Sequence, residues 1–468
     1  MKSNAIWALC AAATLAGGCS LEPAATKIQR EHVGQAGKGY ALPLEKRTIP
    51  DLPAEPGWLD VLHRAFLVNG QLEAAYYEWR AAVDRVAPAA AWPNSNLMLG
   101  YDYAFMKGGM KGWNATTLSA SVDPAMMLTF PVKAETAGKV ALAEAQAAGK
   151  RFEAVKFTLQ QNVLTTWADY ALAAEKVRLQ TETVSLLAGV SDIAAQRVRA
   201  GGPQQDLLKA QTELEMARNE LGNLENDVRQ GQAMLNGLLA RPPQSPLPAP
   251  ARLPAPRGLH ADDATLIALA VRNNPELAAM AHDVAGRTDA LELARLAYLP
   301  DLSPQVSITG NVQQMVGLMV NVPVNDIKIR GGIDAADSAL RQSRAMTRQT
   351  RADRAAQFVA TLYALRNHER QGALLQNKIL PAARQTWESS LKAYSAAGIS
   401  FSELIDTQKT LLQVQVMIAE ARMAREKRLA ELETLAGLDV ETVGTPAKEK
   451  SPQVATRPAG EGRRSVAR

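Results

Sequence analysis

Two very long helical runs constrain this chain more than anything else in it. Residues 134–199 contain Gly138, Gly149 and Gly189 but no proline, and a second run of the same kind covers residues 328–396. At 1.5 Å rise per residue, about 65 helical residues make a rod about 100 Å long. No small globular core covers such a rod. It must pair with other helices along narrow apolar seams and keep its charges outside. Val163, Trp167, Tyr170 and Leu172 lie on the apolar side, and Glu175, Lys176 and Arg178 return to polar. With only 5% aromatic residues and 21% charged ones, the composition suits long paired helices better than a thick core.

Each run breaks at glycine, at Gly201-Gly202-Pro203 or at Gly398, and a return helix follows over residues 204–240 or 401–437. The two halves repeat each other, the signature of a duplicated unit. Asn69-Gly70-Gln71-Leu72-Glu73-Ala74-Ala75 opens one, and Asn274-Pro275-Glu276-Leu277-Ala278-Ala279 opens the other. Each opening leads into a shorter helical run ending at Pro93 or Pro300, then a β-like segment, then a long rod. The expected layout is a first repeat over 57–240, with a β-hairpin at 95–131 and a helix turn near 200–203. A Pro-rich linker at 241–257 follows. The second repeat covers 258–438, with a β-hairpin at 302–323 and a helix turn near 397–400. Residues 439–468 are poor in apolar residues and read as a disordered tail.

The β-like segments alternate with period two. Leu97, Leu99, Tyr101, Tyr103 and Phe105 share one face of the first strand, and Leu118, Ala120 and Val122 alternate with Thr117, Ser119 and Ser121 in the second. Val306 and Ile308, then Val316, Leu318, Val320 and Val322, repeat the pattern in the other half, in a segment shorter than the first. Membrane strands need about 9–11 such residues. Four strands cannot close a barrel alone, and open edges are not tolerated in lipid, so the reading requires an oligomer. Two soluble hairpins capping the helices are the other reading.

Residues 1–18 read as a signal peptide. Lys2 precedes the short apolar run Ala5–Ala16, and small residues precede Cys19. Cleavage before Cys19 leaves one cysteine, which excludes an internal disulfide. Residues 19–56, rich in Pro and charge, read as an extended N-terminal segment. No other apolar run reaches the about 20 residues of a membrane helix. The net charge of +5 is interleaved in sign, with no concentrated basic face for nucleic acid.

The duplicated pattern resembles the TolC-type outer membrane factors of tripartite RND-type efflux pumps. The resemblance covers residues 57–438. It is carried by the Asn-Pro-Glu-Leu-Ala-Ala start, by Ala297-Tyr298-Leu299-Pro300-Asp301-Leu302, and by two helix turns. Those turns are Gln196-Arg197-Val198-Arg199-Ala200-Gly201 with Asp206-Leu207-Leu208-Lys209-Ala210-Gln211, and Ala393-Tyr394-Ser395-Ala396-Ala397-Gly398 with Glu403-Leu404-Ile405-Asp406-Thr407-Gln408. The resemblance implies a mainly α fold with a small β part. Duplicated α-hairpins would form a trimeric α-barrel, and four strands per protomer would contribute to a twelve-stranded outer-membrane β-barrel. It implies a passive export duct for small toxic solutes, a homotrimer, a periplasmic adaptor, an inner-membrane RND-type pump, outer membrane lipid and lipidation of Cys19. Gly398-Ile399-Ser400-Phe401-Ser402-Glu403-Leu404 is similar to the heavy-metal branch.

The sequence carries no catalytic motif. The histidines are not paired at ligand spacing, and neither a phosphate-binding loop nor a Gly-x-Ser-x-Gly elbow occurs. No cofactor is expected beyond the lipid on Cys19, and no nucleic acid. Glu403 and Asp406 lie at i and i+3 on one helix face. The resemblance makes them, with Asp206, candidates for acidic rings at the pore constriction. They can equally answer the macrodipole of a helix N-terminus. Gly201, Gly202 and Gly398 are the expected tip turns where an adaptor docks. Arg197 and Arg199 either tie the closed tip or favour a helix end. Met98, Met106, Met110, Met126, Met127, Met315 and Met319 gather in the β segments, either as contacts for soft ions or as apolar filling. The competing reading of the whole chain is a periplasmic coiled-coil structural or adaptor-type lipoprotein without a pore.

Overall fold

The computed structural model describes residues 21–91, 97–105, 109, 111–122, 128–396 and 398–440. The signal segment, Cys19, Met106, Met110, Met126, Met127 and the tail beyond residue 440 lie outside the described residues.

Helix α1 is Ala25–Ala36. Helices α2 (Trp58–Val68), α3 (Gly70–Asp84) and α4 (Val86–Ala89) lead to strand β1 (Leu97–Tyr103) and strand β2 (Thr116–Val122). Helix α5 then runs 69 residues, Pro131–Arg199, and α6 returns over Gln204–Leu238. The second repeat follows the same order. Helices α7 (Asp263–Asn273) and α8 (Pro275–Arg295) precede β3 (Asp301–Thr309) and β4 (Gln313–Asn321). Its rod is α9 (Asp326–Leu374), a single π turn (Leu375–Ile379) and α10 (Leu380–Ser395), and α11 (Phe401–Ala436) returns. The π turn sits where Pro381, in the first turn of α10, removes an N–H from the helical ladder. The expected rods, return helices and repeat order are those observed.

The repeated openings work as helix starts. The Asn69 side chain accepts from the backbone N–H of Gln71 at 3.0 Å and of Leu72 at 3.2 Å, and that of Asn274 accepts from Leu277 at 2.8 Å. Asn274 also donates to the Leu435 carbonyl at 2.8 Å, which ties α8 to the end of α11. The seam of α5 is buried as expected at Val163, Trp167 and Tyr170. Near the tips one apolar cluster joins both repeats: Leu187, Val190 and Leu214 pack in the same core as Trp387, Phe401 and Leu404. The hairpins of the two repeats therefore form one bundle.

Three expectations change. The N-terminal segment is not extended. It folds as α1, with Val33 buried, and is followed by Tyr40, whose ring lies 5.1 Å from that of Tyr76. Local polarity hid this helix, and tertiary contacts hold it. The Pro-rich stretch 241–257 has no regular structure, yet it is a strap rather than a loose linker. Tyr170 donates to the Leu247 carbonyl at 2.5 Å, and the buried Asn236 donates to Pro243 and Ser245 at 3.0 and 2.8 Å. At its far end Arg257 reaches Glu426 at 3.0 Å and Glu433 at 3.0 Å, and lies over the Trp58 ring. Residues 439 and 440, expected to belong to a disordered tail, are packed: Val440 is buried and Asp439 accepts from Gln160 at 3.0 Å.

Candidate functional site

The four strands form one antiparallel sheet in the order β1-β2-β3-β4. Register follows the alternation. Tyr101 faces Leu118, Leu118 faces Ile308, Ala120 faces Val306, and Val306 faces Val316. One face is thereby apolar across the sheet. The other carries Ser119, Ser121, Gln305 and Ser307, with Thr117 and Thr309 joined through their hydroxyls at 2.9 Å. Met98, Met315 and Met319 sit on this polar face, opposite Ser121, Ser307 and Ser303. They are not filling of the apolar side.

The second hairpin has strands of 9 residues each. Its segment is short because its turn is tight, with Gly310 at φ 49°, and not because its strands are short. The outer strands β1 and β4 leave both sheet edges unpaired among the described residues. Their apolar face is strongly exposed, at 75% for Leu99, 68% for Tyr101 and 78% for Val316. At the base of the sheet Lys133 binds Asp301 at 2.9 Å and the Leu299 carbonyl at 2.8 Å, which joins the start of α5 to the start of β3. No described helix is long and apolar enough to cross a membrane.

At the opposite end of the rods the helix turns are built alike and capped differently. Gly202 donates to the Arg197 carbonyl at 2.8 Å, and Gly398 to the Ala393 carbonyl at 2.7 Å. Gly201 has φ +90°, which L side chains rarely adopt, and a Cβ on Gly202 would meet the Arg197 carbonyl oxygen at 2.9 Å. Gly398 is freer, since a Cβ there finds the Ala393 oxygen at 3.4 Å, an ordinary contact.

The predicted acids Asp206 and Glu403 occupy the same place, three residues after the N-cap positions Pro203 and Ser400. Ser400 can cap and Pro203 cannot. Glu403 therefore closes a reciprocal capping box. It accepts from the Ser400 backbone N–H at 2.8 Å, and its own N–H donates to the Ser400 hydroxyl at 3.2 Å. The Ser400 backbone N–H and the Ser400 hydroxyl, the latter at 3.0 Å, contact the carboxylate and hold it below the usual range. Asp406 is exposed one turn further on. Asp206 pairs instead with Arg197 at 3.9 Å, an ion pair without a hydrogen bond.

Arg197 does more than favour a helix end. Its guanidinium carbon lies 4.4 Å from the centre of the Tyr394 ring, and Tyr394 is fully buried against Phe401. One side chain of the first repeat thus touches the last turn of the second repeat's rod. Cation–π contacts contribute about 0.5–2 kcal/mol, against about 0–1 kcal/mol for a partly exposed ion pair whose charges stand 3.9 Å apart. The ring, rather than Asp206, is the stronger partner. Arg199 is exposed. Tyr394 received no role from the sequence. An aromatic in the last turn before a glycine break was the available signal. Further cross-repeat ties run up the bundle, at Lys409 to Glu213 (2.9 Å), Lys176 to Glu420 (2.7 Å) and Lys427 to Asp169. Among the described residues no group of three or more His, Cys, Asp or Glu is placed to hold a metal ion.

Residues 61–241, most of the first repeat, match the family of outer membrane efflux proteins. The first repeat is therefore similar to the outer membrane efflux proteins. The chain is similar to the Salmonella typhimurium protein described as a probable outer membrane lipoprotein, SilC, at 21% identity over 78% of this chain and 82% of that one. It is also 23% identical to the cobalt-zinc-cadmium resistance protein CzcC of Cupriavidus metallidurans, over 59% of this chain and 65% of the relative. A crystal structure of CusC superposes with a TM-score of 0.69 at 16% identity, covering 85% of this chain and 97% of that one. The outer membrane protein VceC of Vibrio cholerae superposes at 0.67 and 13% identity, over 82% and 96% of the two chains. The duplicated hairpins and the four-stranded sheet of this chain are thus a fold it shares with solved outer membrane channels.

Proposed function

We propose that three copies of this chain form a passive export duct through the outer membrane and periplasm, opened by a docked adaptor and driven by an inner-membrane RND-type pump. The observation that carries the reading is the sheet. It has two unpaired edges, one continuous apolar face and one polar face, and no single copy can satisfy it in lipid. Three such four-stranded sheets, edge to edge, make a barrel of twelve strands with Ser, Gln and Met toward the lumen. The adaptor-type coiled coil without a pore has no use for such a sheet. The protein is read as a duct, not an enzyme.

Heavy-metal cations are the proposed cargo. The support is the similarity to a cobalt-zinc-cadmium resistance protein, together with acids at the tip. Cys19 is proposed to be lipidated. Leu21, two residues beyond it, donates to the Ala90 carbonyl at 3.1 Å, close in sequence to the start of β1, so the anchor would emerge at the foot of the barrel. Glu403, Asp406 and Asp206 are proposed to face the narrowed pore. The glycine turns are proposed to meet the adaptor.

Reconstitution in planar bilayers tests the duct. Detergent-extracted trimer should conduct, and a monomer without conductance would refute it. Deleting the gene should sensitise cells to metal cations. Sensitivity only to organic toxicants would overturn the cargo. Mass spectrometry of the mature N-terminus decides lipidation, which Cys19→Ser should abolish. Since Gly398 tolerates a side chain, Gly398→Trp should weaken adaptor crosslinking in a folded trimer, and unchanged crosslinking would remove that docking site.

A further inference from the structure

The beginning of the strap forms one wall of a cavity of about 310 Å³, bordered by Asp51, Leu52, Arg64, Arg241, Pro246 and Leu247. Two arginines line it. Arg64, on α2, donates from Nη1 to the Pro50 carbonyl at 2.8 Å, and Arg241 donates from Nη2 to the Pro246 carbonyl at 2.9 Å. Each arginine is anchored by one nitrogen. A second nitrogen on each, Nε of Arg64 and Nη1 of Arg241, is buried without an acceptor among the described residues. A buried charged donor without an acceptor is costly, and more so beside a like charge. Burial and the neighbouring Arg241 both push the Arg64 guanidinium below its ordinary range, opposed only weakly by Asp51.

The walls are built rather than loose. Arg241 follows Ala240, held at φ 49°, and its backbone N–H returns to the Asn236 carbonyl at 2.9 Å. Asn236, Gln232 and Tyr170 fix the carbonyls of Pro243, Ser245 and Leu247 behind it. Planar guanidinium forks held this way match the oxygens of a phosphate, sulfate or carboxylate. We propose that this cavity binds one small oxyanion of the phosphate or sulfate class between Arg64 and Arg241, pinning the strap to the first repeat. The anion supplies negative charge beside both guanidinium groups and offsets the repulsion between the arginines. Asp51 borders the same space and sets an upper limit on affinity by repelling the anion.

The test uses full-length trimer in detergent, with sodium phosphate or sulfate titrated against sodium chloride at matched ionic strength. Calorimetry should show saturable phosphate binding, and thermal unfolding should shift upward with phosphate but not with chloride. Arg64→Gln and Arg241→Gln should each weaken binding by about tenfold or more and lose the shift. In chloride alone both should melt no lower than the parent, because a like-charge contact is gone. Asp51→Asn keeps both arginines and should bind phosphate a few-fold more tightly. Equal melting in phosphate and chloride overturns the proposal, as does a phosphate shift that survives in the glutamine variants. Should those variants not fold, Asp51→Asn with unchanged or weaker phosphate binding overturns it. If a carboxylate of a neighbouring copy fills the cavity instead, both arginines will be needed for trimer stability while phosphate has no effect, which also overturns it.

Discussion

Arg197 and the two tip turns show how much one residue decides at this end of the molecule. Arg197 holds the Tyr394 ring and Asp206 at once. Arg197→Ala should loosen the joint between the repeats, and single-channel records should show a higher resting open fraction. The glycines separate by conformation. Gly201→Ala forces a side chain into φ +90° and should cost about 1–2 kcal/mol locally, read as faster cleavage at the turn by limited proteolysis. Gly398→Ala should leave cleavage unchanged. Glu403 has a lowered carboxyl range because Ser400 binds its charged form. Its stabilising contribution is therefore present above the unfolded glutamate range and is lost as pH falls through the lower, folded value. The melting difference between the parent and Glu403→Ala should shrink accordingly on acidification. Glu403→Gln retains the cap, so any change in cation conductance in that variant reports on the pore and not on the helix.

At the scale of elements, the strap and the capped helix starts carry the joints between repeats. Glu433 is 1% exposed and binds Arg257 and Gln160. Burial outweighs the arginine and pushes its carboxyl upward. Removing it takes a buried carboxylate from the buried Arg257 guanidinium, so Glu433→Ala should cost about 3–5 kcal/mol, measured by chemical denaturation. Neither the α1 helix nor the strap's fixed course was legible in the sequence. Polar and Pro-rich stretches carry no periodicity, and their partners, Tyr76 for Tyr40 and Tyr170 for Leu247, lie far along the chain. The long rods were legible because their apolar spacing is local and sustained.

For the whole molecule, the proposed trimer rests on the sheet. Leu318 lies on the exposed apolar face of β4, paired with Pro304. In the proposed barrel Leu318→Arg places a charge toward lipid, which costs about 2–4 kcal/mol at mid-membrane. It should reduce the trimer recovered from the outer membrane fraction on non-denaturing gels. A similar substitution on the polar face, Ser307→Arg, should spare assembly and alter conductance. With a net charge of only +5, the molecule as a whole supplies no strong field. Any ion selectivity must come from local groups at the tip or in the lumen.

The sequence by itself determined the duplication, the rods, the return turns and the alternation of the strands, because each is a periodic property of neighbouring residues. It also placed Asp206 and Glu403 at matching positions. The tertiary structure alone decided that one binds Arg197 and the other its own helix cap, since that choice depends on Pro203 against Ser400 and on a ring brought in from another repeat. It alone brought Arg64 and Arg241 to one cavity across the chain. It also showed that the second hairpin is full length with a tight turn, because a strand's extent is fixed by the partner it pairs with and not by the length of its segment.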